Sequence, residues 1–200
     1  MEKLNKMTLQ NEILQYTLLT SKYENKRRYI SLSQIANCPR KIYNDYVNGC
    51  ETDVIGHLKC RKGYQEEADL KNRLFRIYGD NFNPNPDEIV LYKGLVKGHP
   101  DGALNGHLIE IKSYALDRYL PDEQRIPKRI YWQVQAYLAF DEYKHPAFLI
   151  CESRESGVIK VCEVKYNMSV IDQIQIKLAV ITEAVLRRNP PHCECGKCKQ

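Results

Sequence analysis

Asp101, Glu110 and Lys112 fall within twelve residues of chain, on either side of the dipeptide Asn105-Gly106. Asn-Gly between two β-like runs favours a two-residue type I′ turn, because both central positions need positive φ. With Leu104 facing His107 across that turn, Asp101 is expected directly opposite Glu110, and His99 directly opposite Lys112. All four then share one face, since strand side chains alternate. Opposed carboxylates, their Cβ atoms about 4.5–5.5 Å apart, repel one another unless a cation lies between them. Hard oxygen ligands suit Mg²⁺ or Mn²⁺, and the carbonyl of Ile111 can add a further oxygen. Lys112 would then polarise an attacking water and offset charge on a scissile phosphate. The competing reading is an exposed hairpin face with solvated charges. Against it, Glu110 follows the apolar pair Leu108-Ile109, so its strand is expected to be buried on one face, where isolated charges are costly.

Other residues extend this candidate site. Gln133 and Tyr137 are four apart in a helical stretch and therefore neighbours, beside an apolar stripe of Ile130, Val134 and Leu138. An amide next to a phenol can orient Lys112 or meet a phosphate or base edge. Upstream, Glu67 shares a helical stripe with Gly63, Leu70, Leu74 and Ile77, which places an acid on an apolar face; Glu66, off that stripe, is the alternative. His99 either positions a substrate or packs beside the turn.

The chain contains eight cysteines. Disulfides would suit a small secreted protein, whereas clustered thiols in a reducing compartment more often bind metal. Cys193, Cys195 and Cys198 crowd the last eight residues. Cys151 and Cys162 lie in apolar, β-branched segments, where a thiol behaves as a small hydrophobe. Cys50 and Cys60 flank a polar loop and receive no role.

The elements that must position these groups can be read from periodicity and punctuation. Leu9, Ile13, Leu14 and Leu18 predict an amphipathic helix over residues 8–20. Ser31 and Gln34 form a capping-box pattern that starts a short helix towards Cys38; Pro39 interrupts it, and helix resumes over Arg40–Val47. A helix follows over Arg61–Tyr78. Three strands of a meander are expected at Glu88–Lys93, Val96–Leu104 and His107–Ser113, then a helix over Lys128–Glu142. A second hairpin, Ala147–Glu152 with Val158–Tyr166, turns at Ser156-Gly157. Val170, Ile174, Leu178, Ile181 and Val185 mark a closing helix stopped by Asn189-Pro-Pro191. This order predicts an α/β fold, a mixed sheet flanked by helices.

With 200 residues and no repeats, one compact domain over residues 1–200 is expected. A net charge of +5 is compatible with a polyanionic partner without requiring one. No apolar stretch reaches the roughly 20 residues that cross a bilayer, and the first residues lack a secretory apolar core, so a cytoplasmic protein without a membrane partner is expected.

Taken together, the motifs resemble the PD-(D/E)xK nuclease superfamily, in particular its RecB-like branch and the CRISPR-associated exonuclease family four. The resemblance runs from Ser31 to Cys198 through Cys38-Pro-Arg-Lys-x-Tyr43, Gly63 with Glu67, Gly98-His-Pro-Asp101-Gly102, Glu110-Ile-Lys112-Ser113 and Gln133-x-x-x-Tyr137. It implies a restriction-endonuclease-like fold in which Asp101 and Glu110 are metal ligands and Lys112 is the catalytic lysine. Gln133 and Tyr137 organise the site. Glu67 takes an upstream position where CRISPR-associated relatives often carry histidine and phage exonuclease relatives glutamate. It also implies a cluster held by Cys38, Cys193, Cys195 and Cys198, joining a module of about 31–60 to 189–200. That centre is an iron-sulfur (4Fe-4S) cluster, with Zn²⁺ as the alternative for four thiolates; His192 is a substitute ligand.

The expected activity is a metal-dependent DNA exonuclease, with endonuclease activity a further possibility. Its substrate would be single-stranded DNA or DNA with free ends, and its setting CRISPR adaptation or phage and host recombination and repair. Partners would be DNA, CRISPR integration or recombination proteins, and in principle further copies of the chain. Lys26, Arg27, Arg28, Arg40 and Lys41 are candidate phosphate contacts, with Tyr43 and Tyr46 available for stacking. The alternative is a non-catalytic DNA-binding or adaptor protein whose cysteine centre is structural.

Overall fold

A computed structural model describes residues 29–49, 54–140 and 142–198, with backbone alone for 54–59. The predicted helix over residues 8–20, the basic run Lys26-Arg27-Arg28 and Cys50 lie outside the described residues. The architecture is mixed α/β, with helices flanking two sheets rather than one. A three-stranded sheet has the order β1 (Ile30–Ser31), β4 (Val96–Gly98), β3 (Ile89–Leu91). A five-stranded sheet has the order β2 (Phe82–Asn83), β5 (Gly102–Leu104), β6 (His107–Tyr114), β7 (Lys144–Ser153), β8 (Ile159–Val164). Both are mixed: β1 runs parallel to β4, and β6 parallel to β7.

The Asn-Gly turn forms as expected. Asn105 and Gly106 have φ of 52° and 85°, and Leu104 faces His107. The strand expected over Val96–Leu104 instead breaks at His99-Pro100-Asp101, and its two halves belong to different sheets. Pro100 has no N–H to donate to a ladder, which makes it a natural point for the chain to leave one sheet and enter the other.

Strand β6 is covered on both faces, because its alternating side chains enter two separate cores. Leu108 joins the larger core with Val134, Tyr137 and Leu138 of helix α3 (Lys128–Phe140). Ile109 and Ile111 join a second core with Leu70 and Leu74 of helix α2 (Val54–Tyr78). Full burial of each such aliphatic side chain contributes about 1.5–3 kcal/mol. Glu110 therefore points from a strand buried on both faces towards α3, and is itself wholly buried.

Four local expectations are corrected. Pro39 does not interrupt a helix; it opens helix α1 (Pro39–Asn48), with Cys38 as N-cap. Proline suits the first helical position, where the missing N–H has no helical partner anyway. The Ser31 signal produces only a 3₁₀ turn, Leu32–Gln34, in which Ser31 accepts from Ser33 N. Helix α2 starts at Val54 rather than Arg61, so Cys60 lies on an exposed helical surface and not beside a loop. Ile77, assigned to the apolar stripe, is exposed, because the sheet is crossed only as far as Leu74.

The closing helix α4 (Met168–Arg187) buries Ile171, Ile174, Leu178 and Ile181 and ends at Arg188 in left-handed geometry. Among the described residues, no helix is long and apolar enough to cross a membrane.

Candidate functional site

The hairpin carries Asp101 and Glu110 towards one point. Asp101 sits one residue before β5, and its Oδ2 accepts a 2.8 Å hydrogen bond from Ile111 N. Lys112 extends its ammonium back along β6 to donate to Glu110 Oε1 and, at 3.1 Å, to Ile111 O, with Asp101 Oδ2 3.7 Å away. The Lys112 Nζ atom thus stands among the three oxygens anticipated as ligands for a cation.

Helix α3 closes the site from above Glu110. Gln133 Nε2 donates to Glu110 Oε1 at 2.7 Å and lies 3.1 Å from Tyr137 Oη, which donates to His99 O at 3.3 Å. Gln133 and Tyr137 are both buried, so this chain fixes the carboxyl rather than facing solvent. Its other oxygen, Glu110 Oε2, is buried with no hydrogen-bond partner among the described residues. A buried acceptor without a donor is expensive, and Glu110, Asp101 and the Ile111 carbonyl offer only oxygen donors, which suit a hard divalent cation.

Burial, and then the neighbouring charge of Asp101, push the Glu110 carboxyl up to about 8 against the opposing pull of Lys112. Burial alone would lower the Lys112 pKa, but Glu110 and Asp101 outweigh it and hold the ammonium above its ordinary value. Burial, with Glu110 adding to it, also raises Tyr137 far above the usual phenol range.

The remaining candidates separate. Glu67 lines a cavity of about 480 Å³ together with His99, Asp101, Gln133 and Tyr137, and forms a 2.7 Å ion pair with Lys71 one turn along α2. Glu66 turns instead towards Arg154, 3.6 Å from its Nε, and does not line the cavity. His99 is not opposite Lys112, since the strand has already broken; its Nε2 lies 3.1 Å from Glu88 Oε1 and 3.4 Å from Tyr29 Oη. Tyr29, Lys71 and Glu88, which the sequence did not single out, and Ser31, read there only as a cap, also line the cavity. They come from three separate segments, and only the sheet order brings them together.

Gly98 explains one element of the motif around Asp101. A Cβ there would lie 2.8 Å from Leu32 Cδ1 and 2.9 Å from Tyr137 Cε1. Gly98→Ala is therefore expected to push the Tyr137 ring off Gln133, costing about 1–3 kcal/mol in stability. Urea unfolding should show that loss, and the tyrosine ultraviolet spectrum should show the altered environment.

A second centre lies at the N-terminus of α1, where Cys38 is the cap. The Sγ atoms of Cys38, Cys193, Cys195 and Cys198 all fall within 4.8 Å of one another. Cys193 and Cys195 sulfurs are 3.6 Å apart, Cys195 and Cys198 sulfurs 3.4 Å. Burial opposes ionisation of Cys38, but the backbone N–H groups of Glu194, Arg40, Lys41 and Cys195 hold its thiol below the ordinary value. The backbone N–H of Cys198 leads the groups that draw Cys193 down to about 6, while Cys195 leads those that push Cys198 up to about 12. Arg40 donates to Pro191 O at 3.2 Å and Lys177 to Asn37 O at 3.1 Å, binding the two ends of the chain beside the thiols. His192 is exposed and outside the group. Cys151 and Cys162 are buried in the main core, as expected, and burial raises both thiols, Cys151 to about 12.

No protein-family model and no curated protein sequence matches the chain. Solved structures do. The crystal structure of SSO0001 matches with TM-score 0.52 at 16% identity, over 95% of this chain and 93% of that one. An alkaline exonuclease, LHK-Exo from Laribacter hongkongensis, matches with TM-score 0.60 at 13% identity, over 80% of this chain and 89% of that one. The same exonuclease in complex with dAMP matches with TM-score 0.57 at 13% identity, over the same shares of both chains. At these identities the likeness is one of fold: the chain shares the architecture of an alkaline exonuclease.

Proposed function

We propose that the protein is a divalent-metal-dependent deoxyribonuclease acting on single-stranded DNA or DNA ends, with Asp101, Glu110 and the Ile111 carbonyl holding the ion and Glu67 facing it from α2. The observation that carries this reading is the gathering of the Asp101 and Glu110 carboxylates and the Ile111 carbonyl around the Lys112 ammonium, beside a polar cavity that Asp101 lines, with one buried Glu110 oxygen left without a donor. The fold shared with an exonuclease supports DNA as the substrate. A role in CRISPR adaptation or in recombination and repair, with protein partners from those systems, follows from the motif resemblance.

A cation bound there supplies Lewis-acid polarisation of a phosphoryl oxygen and a lowered pKa for water. Lys112 would offset the negative charge that develops on the phosphoryl oxygens. Gln133, anchored on Tyr137, holds Glu110 in its ligating orientation. The test is release of nucleotide from end-labelled single-stranded DNA with Mn²⁺, with chelator, and with Lys112→Ala. Cleavage only by the unsubstituted protein with Mn²⁺ is expected; equal digestion in all three rejects the reading.

The raised Glu110 carboxyl has a consequence for pH. In chelator, the folded protein binds this proton more tightly than the unfolded chain, so stability should fall as pH rises from the ordinary carboxyl value of 4.5 to about 8. Mn²⁺ must displace the same proton, so its affinity should climb over that window, by up to tenfold per pH unit, and level off above it. Titration calorimetry in buffers of different ionisation enthalpy reads the released proton directly, and pH-independent binding between 5 and 8 contradicts the assignment.

For the cysteine centre, the spacing of the thiols favours one tetrahedral ion. Zinc–sulfur bonds of about 2.3 Å place tetrahedral sulfurs about 3.8 Å apart, close to the separations in this structure. A 4Fe-4S cluster holds its thiolates on four separate irons, farther from one another. One zinc per chain and a colourless protein are expected; iron with sulfide and brown colour would assign the cluster instead.

A further inference from the structure

We propose that a groove between α1, α4 and the turn Tyr92–Gly94 is a second binding site, and that it takes single-stranded DNA; the choice of DNA rests on the reading of the catalytic cavity above. The groove has a volume of about 1060 Å³ and no acidic residue in its lining. Lys93 and Arg188 bring two exposed cations, neither in an ion pair among the described residues. Tyr92 is 48% exposed, Tyr46 lies half-buried beside it in the wall, and Leu186, 77% exposed, adds an apolar edge.

The backbone singles out the same residues. Tyr92, Lys93 and Arg188 have φ of 50°, 55° and 53°, and they are three of the four described non-glycine residues with positive φ. The fourth, Asn105, belongs to the type I′ turn. Left-handed geometry costs an L-residue roughly 1–2 kcal/mol, a penalty that glycine escapes. Arg188 adopts it as the cap that ends α4, whereas Tyr92 and Lys93 adopt it in the turn before β4, and all three line one groove. Strain of this kind gathers where the side chains serve a ligand. Cations for phosphates and aromatic faces for bases are what an unpaired strand requires.

The position relative to the catalytic cavity is suitable. Leu95 lines the groove and His99 lines the cavity, with β4 running between them. Four residues at about 3.3 Å each place the two no more than about 13 Å apart, about four stacked nucleotides at about 3.4 Å per base.

The test is fluorescence anisotropy of labelled oligothymidylate with the full chain in chelator, where no cleavage occurs. Tyr92→Gly is expected to weaken binding roughly 5- to 100-fold. The double variant Lys93→Gly, Arg188→Gly should reduce the slope of log affinity against log salt by about 1.4, since each single-strand phosphate contact contributes about 0.7. All these variants should keep the thermal stability of the parent, because glycine accepts the backbone geometry. Cleavage retained by Lys112→Ala with Mn²⁺ would sink the catalytic reading, while binding in chelator that weakens only in the groove variants would leave this one standing. Failure of the parent to bind, or parental affinity and salt slope in the groove variants, overturns the proposal. So does self-association lost on Leu186→Asp with DNA binding unchanged, which would assign the groove to a second copy.

Discussion

Glu110→Gln is expected to reduce DNA cleavage by roughly 10²–10³-fold or more while leaving the fold intact. Loss of preorganised charge at a reacting phosphate typically has an effect of that size, and here the same change removes both oxygens of the central carboxylate as anionic ligands. The structural cost should be small. Burial holds the Glu110 carboxyl up to about 8, so near neutral pH in chelator the parent already favours the neutral form, which glutamine imitates. Gln133 and Lys112 keep an oxygen to which they can donate. Stability in chelator should therefore change by no more than about 1–2 kcal/mol, and its decline between pH 4.5 and 8 should disappear. Lys112→Ala acts in the opposite sense on that proton: without the ammonium the carboxyl is held higher still, and Mn²⁺ binding at neutral pH should weaken. Urea unfolding at pH 6 and pH 8 in chelator, beside cleavage of end-labelled DNA, separates the two variants. A Glu110→Gln protein that cleaves at the parental rate would remove this carboxylate from the chemistry.

What could be read from the sequence was decided by how local the physics is. The Asn105-Gly106 turn fixes its register within six residues, and that alone brought Asp101 and Glu110 together. Gln133 and Tyr137 were found because helical spacing places them on one face, and the Glu110 contact of Gln133 follows from α3 covering the strand. His99 was misplaced because its pairing with Lys112 assumed an unbroken strand, and a proline one residue later diverts the chain into another sheet. The exposure of Ile77 depends on where α2 leaves the sheet, which no stripe within the helix records. Pro39 was read as an interruption because proline excludes an interior position and permits a first one, and only the chain geometry at Cys38 distinguishes the two.

On the reading that the four cysteines hold one ion, its removal should have the largest effect on stability. Cys38 and Cys193 are 155 residues apart, so the four thiols come together only when the chain folds. Because the unfolded chain lacks the assembled site, the binding free energy of the ion appears as folding stability. The buried contacts of Ile42 in the main core and the Arg40 and Lys177 hydrogen bonds hold α1 beside α4 without the ion, so the fold should survive in weakened form. A loss of about 3–5 kcal/mol corresponds to a fall in Tm of roughly 6–20 °C for a chain of this size. Cys38→Ser and Cys195→Ser should each produce it, and the double variant should be hardly worse than either, since both break one site and their effects cannot add. Cys60→Ser, on the exposed face of α2, should melt with the parent. Calorimetric melting with metal analysis on the same samples tests this. Additive losses from Cys38 and Cys195, with metal content unchanged, would show four thiols that are neighbours without being ligands of one ion.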